Sequence, residues 1–282
     1  MSKLRKILKP LIKQFNVPDM YSRTAEVAFY LMLSIFPSLI FLICAIAYIP
    51  DVGLIKTQVF VQQFIPEDAT EIIHAIISSA IANRSLRLLI ISFLLATWTF
   101  SNAVKSLIKG QNMAFGFEEK RPFLKLNAYC LIYSVAFFIM ILLCVIFLVY
   151  GNKLGALLLS ILGDNIIIRW VYKFIQYTIP IVIMTYIFLN FFTIGPSGSL
   201  KYRYTIPGAA VTTFLWLLFS LFYSAYTENF GQFREIYGSI SSIIILMTWI
   251  YLCSMSMIIG YKLNAIIYLQ EKVDKFRFRR VK

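Results

Sequence analysis

The sequence predicts an all-α membrane protein: six transmembrane helices forming one membrane domain, with both termini in the cytoplasm. Three observations carry this expectation. Of 282 residues, 60% are hydrophobic and only 14% are charged, where a soluble domain carries about 25% charged residues. The charges cluster in short stretches between long uncharged runs, the pattern of a chain that crosses lipid. Basic residues alternate between abundant and scarce from one stretch to the next.

A bilayer core about 30 Å thick requires about 20 apolar helical residues, each rising about 1.5 Å. Six runs meet this length, at about 27–49, 88–108, 126–150, 171–192, 206–226 and 239–261. The second is short: its uncharged part covers 88–104, and extending it requires the Lys105 amine to snorkel to the interface. Trp170, Tyr172 and Tyr177 are interfacial anchors at the start of the fourth. The runs are continuous and not alternating, which argues against a β-barrel.

Orientation follows from the flanking bases. Residues 1–24, 105–125, 193–205 and 262–282 together hold twenty Lys and Arg, and the opposite-side segments 50–87, 151–173 and 227–238 hold seven. Those opposite segments also hold seven acids, so the whole formal charge of +14 belongs to the cytoplasmic side. This divides the chain into a basic cytoplasmic segment at 1–24, the membrane domain at 25–262 and a basic tail at 263–282. Charge placed by topology points to the bilayer and its anionic inner-leaflet lipids as partners, not to nucleic acid. The first apolar run is full length and follows a basic segment, so no cleavable signal peptide is expected.

Three segments are expected to lie on the membrane. Leu4, Ile7, Leu8, Leu11, Ile12 and Phe15 recur at helical spacing among bases, with Pro10 as a kink. Pro66, Glu67 and Asp68 read as a helix start in the first outer loop, followed by an apolar stripe from Ile72 to Ile81. Residues 154–162 in the second outer loop are similar but shorter.

No catalytic constellation emerges. The one histidine, His74, cannot build a hydrolytic zinc cage. The motifs HExxH, GxGxxG and GxSxG and the P-loop are absent. Glu67-Asp68 and Glu118-Glu119 are adjacent pairs that do not face each other on a helix. Cys44, Cys130, Cys144 and Cys253 all fall in apolar runs without a CxxC pair and read as small buried hydrophobes. Neither a metal nor a cofactor is indicated, and the chain does not read as an enzyme.

Polar groups inside spans need partners or a water-filled path. Glu26 at the entrance of the first span, Ser34 within it and Asn102 in the second are the candidates for such a path. Serines and threonines elsewhere in the spans read as bonded within their own or neighbouring helices. Pro37 and Pro180 interrupt the first and fourth spans, which are equivalent helices if the chain is two inverted three-helix halves.

Several segments resemble the YihY/BrkB family of bacterial membrane proteins, once labelled ribonuclease BN. Residues 25–42, AEVAFYLMLSIFPSLIFL, with Tyr30 and Pro37, are similar to the family's first-span signature. Residues 112–125, NMAFGFEEKRPFLK, resemble its loop after the second span, with Asn112 and Arg121. YTIPGAA, with Pro207 and Gly208, is similar to its entry into the fifth span. Residues 223–252, with Tyr226, Tyr237 and Gly238, and then Asn264, resemble its sixth-span region. The match covers roughly residues 20–265. Tyr261-Lys262 departs from the pattern, standing where the family commonly has an alanine and an acid. The resemblance implies a six-helix inner-membrane protein linked to envelope integrity. It also implies that Gly208 and Gly238 permit tight turns or close approach, and that Arg121 is placed to bind lipid phosphates.

Two functions remain open: a transporter or exporter of lipids or amphipathic anions, and a non-transporting scaffold for envelope assembly. The residue inventory disfavours ribonuclease chemistry. Homo-oligomerisation is left open.

Overall fold

The computed structural model describes residues 18–47, 85–149, 165–228 and 239–280, with Pro10, Gly155 and Leu159 as isolated helical positions. The expected interfacial helices at the N-terminus and in both outer loops lie, apart from those three positions, outside the described residues. So do His74, Tyr237 and Gly238.

Six helices make the fold: α1 (Pro18–Ala47), α2 (Leu86–Phe115), α3 (Phe123–Val149), α4 (Ile166–Ile194), α5 (Tyr202–Glu228) and α6 (Ser239–Arg280). All six are long and apolar enough to cross a membrane, and no strand occurs among the described residues. The Ser85 side chain caps α2 by accepting the Leu88 N–H, and Asn165 caps α4 by accepting the Ile167 N–H.

Every helix but α3 begins or ends well beyond its hydropathic run. α2 is 30 residues long and not the short span expected. Lys105 and Lys109 end the apolar pattern but not the helix, because lysine is a good helix former. What stops α2 is Gly116, whose φ of 70° is open to glycine at little strain. Lys105 lies on the flank of α2, donating to Asn127 of α3 at 3.3 Å and sitting over the Phe123 ring. α6 continues without a break past 262 to Arg280.

The helices form a ring in chain order, each packed on the next, and α6 closes it on α1. α2 also packs on α6 across the ring. This strut leaves a three-helix compartment (α1, α2, α6) and a five-helix one. Large apolar side chains such as Phe36, Trp98, Phe174 and Phe214 project outward. On a chain of six membrane-length helices, this is the lipid-facing surface.

Aromatic side chains fill the five-helix compartment. Phe188, Phe191 and Phe192 of α4 are fully buried; Phe191 meets Phe137 of α3 edge-on at 5.2 Å, and Phe188 meets Trp216 of α5 at 5.5 Å. Helices gain little from hydrophobic burial against one another in lipid, so such contacts hold the bundle chiefly through packing. Each aromatic pair is worth about 1 kcal/mol beyond its area.

Pro37 and Pro180 lie within α1 and α4, which remain single helices. The ring order is compatible with two halves related by advancing three helices. The halves are nevertheless unequal: α6 is 42 residues against 27 for α3, and the α2–α6 strut has no comparable α5–α3 contact.

Candidate functional site

One end of the bundle, here the base, holds the start of α1, the α2–α3 and α4–α5 connections and the distal part of α6. Its polar residues are organised around Asn112 in the last turn of α2. The Asn112 side-chain oxygen accepts the Ser197 N–H at 2.8 Å and the Ser197 hydroxyl at 3.3 Å. Its amide donates to Glu119 at 2.8 Å. Both faces of the carboxamide are thus used, which ties the two connections together.

Glu119 completes the knot. Its carboxylate receives Nε and Nη2 of Arg121 at 2.8 and 2.7 Å, together with the Arg121 N–H at 3.0 Å. Nη2 also donates to the Gly195 carbonyl at 2.7 Å, and the guanidinium stacks on Tyr129. The hydrogen bond from Arg121 holds the Glu119 carboxyl below its usual range, and the same bond raises the pKa of Arg121. The structure therefore engages Arg121 inside the protein, where the family resemblance placed it on lipid phosphate.

Gly208 and Asn264 bring α5 and α6 together. The Asn264 oxygen accepts the Gly208 N–H at 2.7 Å. A Cβ on Gly208 would collide with the Gly260 carbonyl, and one on Gly260 with the Thr212 hydroxyl. Close approach at this crossing is what the glycine at 208 was expected to permit. Pro207 lies beside it in the second turn of α5. Beyond the crossing, Tyr268 of α6 packs edge-on against Phe115, Phe117 and Tyr204. Arg203 pairs with Glu271.

Among the described residues five buried polar atoms find no hydrogen-bond partner: Ser106 Oγ, both amide atoms of Gln111, Gln176 Oε1 and Asn264 Nδ2. Gln111 is fully buried beside Gly195, where an added Cβ would come within 3.3 Å of its amide nitrogen. A buried group of this kind ordinarily meets water, an ion or a ligand. Sequence reasoning missed Gln111 and Gln176. Gln111 lies near a helix end and reads as solvated, and Gln176 stands among the interfacial aromatics at the start of the fourth run, where a polar side chain also reads as solvated.

The predicted path residues are differently placed. Glu26 is exposed on α1. Ser34 is buried with its hydroxyl bonded back to the Leu31 carbonyl at 2.6 Å, and Asn102 is half-buried on α2. A crevice of about 10 Å³, the room of about one water, opens between α1, α2 and α3. Ser38, Phe41, Thr97 and Phe138 are among its lining residues, and Glu26, Ser34 and Asn102 are not. Its hydroxyls bond back to their own helices. Tyr30 is half-buried against the core, and Tyr226 is exposed near the end of α5. Cys44, Cys130 and Cys253 are buried and Cys144 is half-buried, all four as free thiols. Among the described residues no group of three or more His, Cys, Asp or Glu is placed to hold a metal.

Comparison with known proteins agrees with a membrane protein. The chain is 28% identical to YfkH of Bacillus subtilis, named there a ribonuclease-like protein, over 94% of this chain and 96% of that one. It is 24% identical to a UPF0761 membrane protein of Vibrio parahaemolyticus, over 93% of this chain and 82% of the relative. A shorter match, 32% identical over 31% of each chain, is to a UPF0761 membrane protein of Idiomarina loihiensis. No solved structure matches. The family model described as Virulence factor BrkB matches residues 11–280; the chain is a multi-pass membrane protein and belongs to the BrkB family.

Proposed function

We propose that this protein is a transporter or exporter in the bacterial plasma membrane, with its base facing the cytoplasm, that moves lipids or amphipathic anions. The observation that carries the reading is the set of buried polar atoms on α2, α4 and α6 that find no partner among the described residues, with Gln111 foremost. A bundle with no polar cargo gains nothing from keeping such groups in its interior, where each costs about 1–3 kcal/mol. The concentration of bases at the cytoplasmic flanks supports an anionic cargo.

The test is flux in proteoliposomes carrying fluorescent anionic lipids or amphipathic anions. Flux that falls with Gln111→Leu and Asn102→Leu supports transport. No flux for any cargo of these classes refutes it.

One observation favours the second reading, a scaffold for envelope assembly. The aromatic core is closely packed, and the crevice between α1, α2 and α3 has room for about one water. A scaffold would retain its partners in pull-downs from membranes while passing no cargo. The ribonuclease-like name of YfkH finds no counterpart in the chemistry of the residues described.

A further inference from the structure

A second group of charged residues at the base lies apart from the Asn112–Arg121 knot. Arg23, in the second turn of α1, keeps a side chain only 12% exposed. Its Nε donates to Asp19 at 3.1 Å, and Nη2 is directed at the Met113 sulfur. A thioether is a weak acceptor with no charge, so one donor of the guanidinium is held by a group that cannot neutralise it. Asp19 is 45% exposed and shares its charge with solvent.

Lys262 of α6 is 7% exposed, and its amine meets no acceptor among the described residues. It lies within electrostatic reach of both Asp19 and Arg23. The preceding residue, Tyr261, is fully buried against Gly110 of α2, and the Arg23 side chain abuts the same glycine. α1, α2 and α6 thus converge near two largely buried cations, and the acids of this region, Asp19 and Glu26, are both exposed to solvent. Lys109, one turn before Met113 on α2, is exposed and adds to the positive face. Buried charges left uncompensated are costly, and proteins pair them.

We infer that Arg23 and Lys262 form a binding site for a phosphate group, presented by a lipid headgroup or by free phosphate. A phosphate matches the guanidinium fork and still has oxygens for an ammonium approaching from another helix. A planar carboxylate has two oxygens to divide between them. The inference deepens the transport reading by naming the chemistry of the anion, and it stands on different residues from those that carry that reading.

The test measures binding by the full chain in phosphatidylcholine nanodiscs. One arm adds phosphatidylglycerol and reads the retained lipid by native mass spectrometry. The other adds inorganic phosphate and reads the shift in melting temperature. Retention of phosphatidylglycerol alone assigns the site to a headgroup; a response to inorganic phosphate assigns it to the free anion. Arg23→Gln and Lys262→Met should each weaken binding by about tenfold, the scale of one lost charge contact. Asp19→Asn removes the acid bonded to Arg23 and should tighten it. Uptake of neither probe, or affinities unchanged in Arg23→Gln and Lys262→Met, overturns the site. If those two variants do not fold, an unchanged affinity in Asp19→Asn overturns it. Binding is read without flux, so failure of transport leaves this result standing, and the reverse also holds.

Discussion

Asn264 of α6 holds the backbone of α5 directly, its side-chain oxygen accepting the Gly208 N–H at 2.7 Å at a point where both partners are buried. The helices are close enough there that a Cβ on Gly208 has no room beside the Gly260 carbonyl. Small residues at a membrane crossing let backbones approach, and an amide then supplies the polar contact. Gly208→Ala should lower stability in detergent by about 3 kcal/mol through overpacking. Asn264→Leu should lower it by about 1 kcal/mol by removing the hydrogen bond to the Gly208 N–H. Thermal unfolding measures both, and a fully stable Gly208→Ala would show that the helices stand further apart.

Acid should loosen the base. Glu119 has its carboxyl pKa lowered in the fold, chiefly by the hydrogen bond from Arg121. Its contribution is therefore complete above the unfolded carboxyl value of about 4.3 and is lost as pH falls through the lower, folded value. A melting temperature followed from pH 7 downward should drop in that window. Arg121→Gln should be less stable at neutral pH and should lose this acid-dependent component. A variant whose acid profile parallels that of the wild type would remove Arg121 from the explanation.

Gln111 separates structural from functional polarity. Replacing an unsatisfied buried amide by an apolar group of similar size removes a desolvation penalty, so Gln111→Leu should melt no lower than the wild type and gain up to about 1 kcal/mol. The same variant should lose flux. A loss of stability would mean that the amide has a partner and is part of the packing.

The base should be reachable only from the cytoplasm. The native thiols are buried or half-buried, which gives a quiet background for cysteine labelling. Lys120 and Lys201 are exposed in the α2–α3 and α4–α5 connections. Lys120→Cys and Lys201→Cys should react with an impermeant maleimide only after the cells are permeabilised. Labelling in intact cells would invert the topology.

The six helices were legible because uncharged runs of membrane length have few other uses. Their ends were not. Lys105 interrupts hydropathy without interrupting a helix, so α2 reaches Phe115, and nothing in residues 263–280 breaks a helix, so α6 continues to Arg280. The site was legible only in part. Asn112, Arg121, Gly208 and Asn264 came from a family resemblance, whereas Glu119 stood inside the family-like loop as half of an adjacent acidic pair with no role of its own. Its role depends on Asn112 meeting Ser197, 85 positions away in the chain, and local patterns carry no record of such a pairing. Arg23 counted in the sequence merely as one more base, and Lys262 only as a departure from the expected acid.

The α2–α6 strut also limits how the bundle can move. α5 and α6 are fastened backbone to side chain at Gly208 and Asn264, so they must travel as one body. α2 bears on α6 through Gly110, whose missing side chain leaves the place taken by the hydroxyl end of Tyr261. A rocking cycle that parts the first three helices from the last three would have to cut across this bearing surface. α4 is fastened to α5 as well, Thr185 to Thr213 and Thr193 to Thr205, so any displacement of α4 must carry α5 with it or break these bonds.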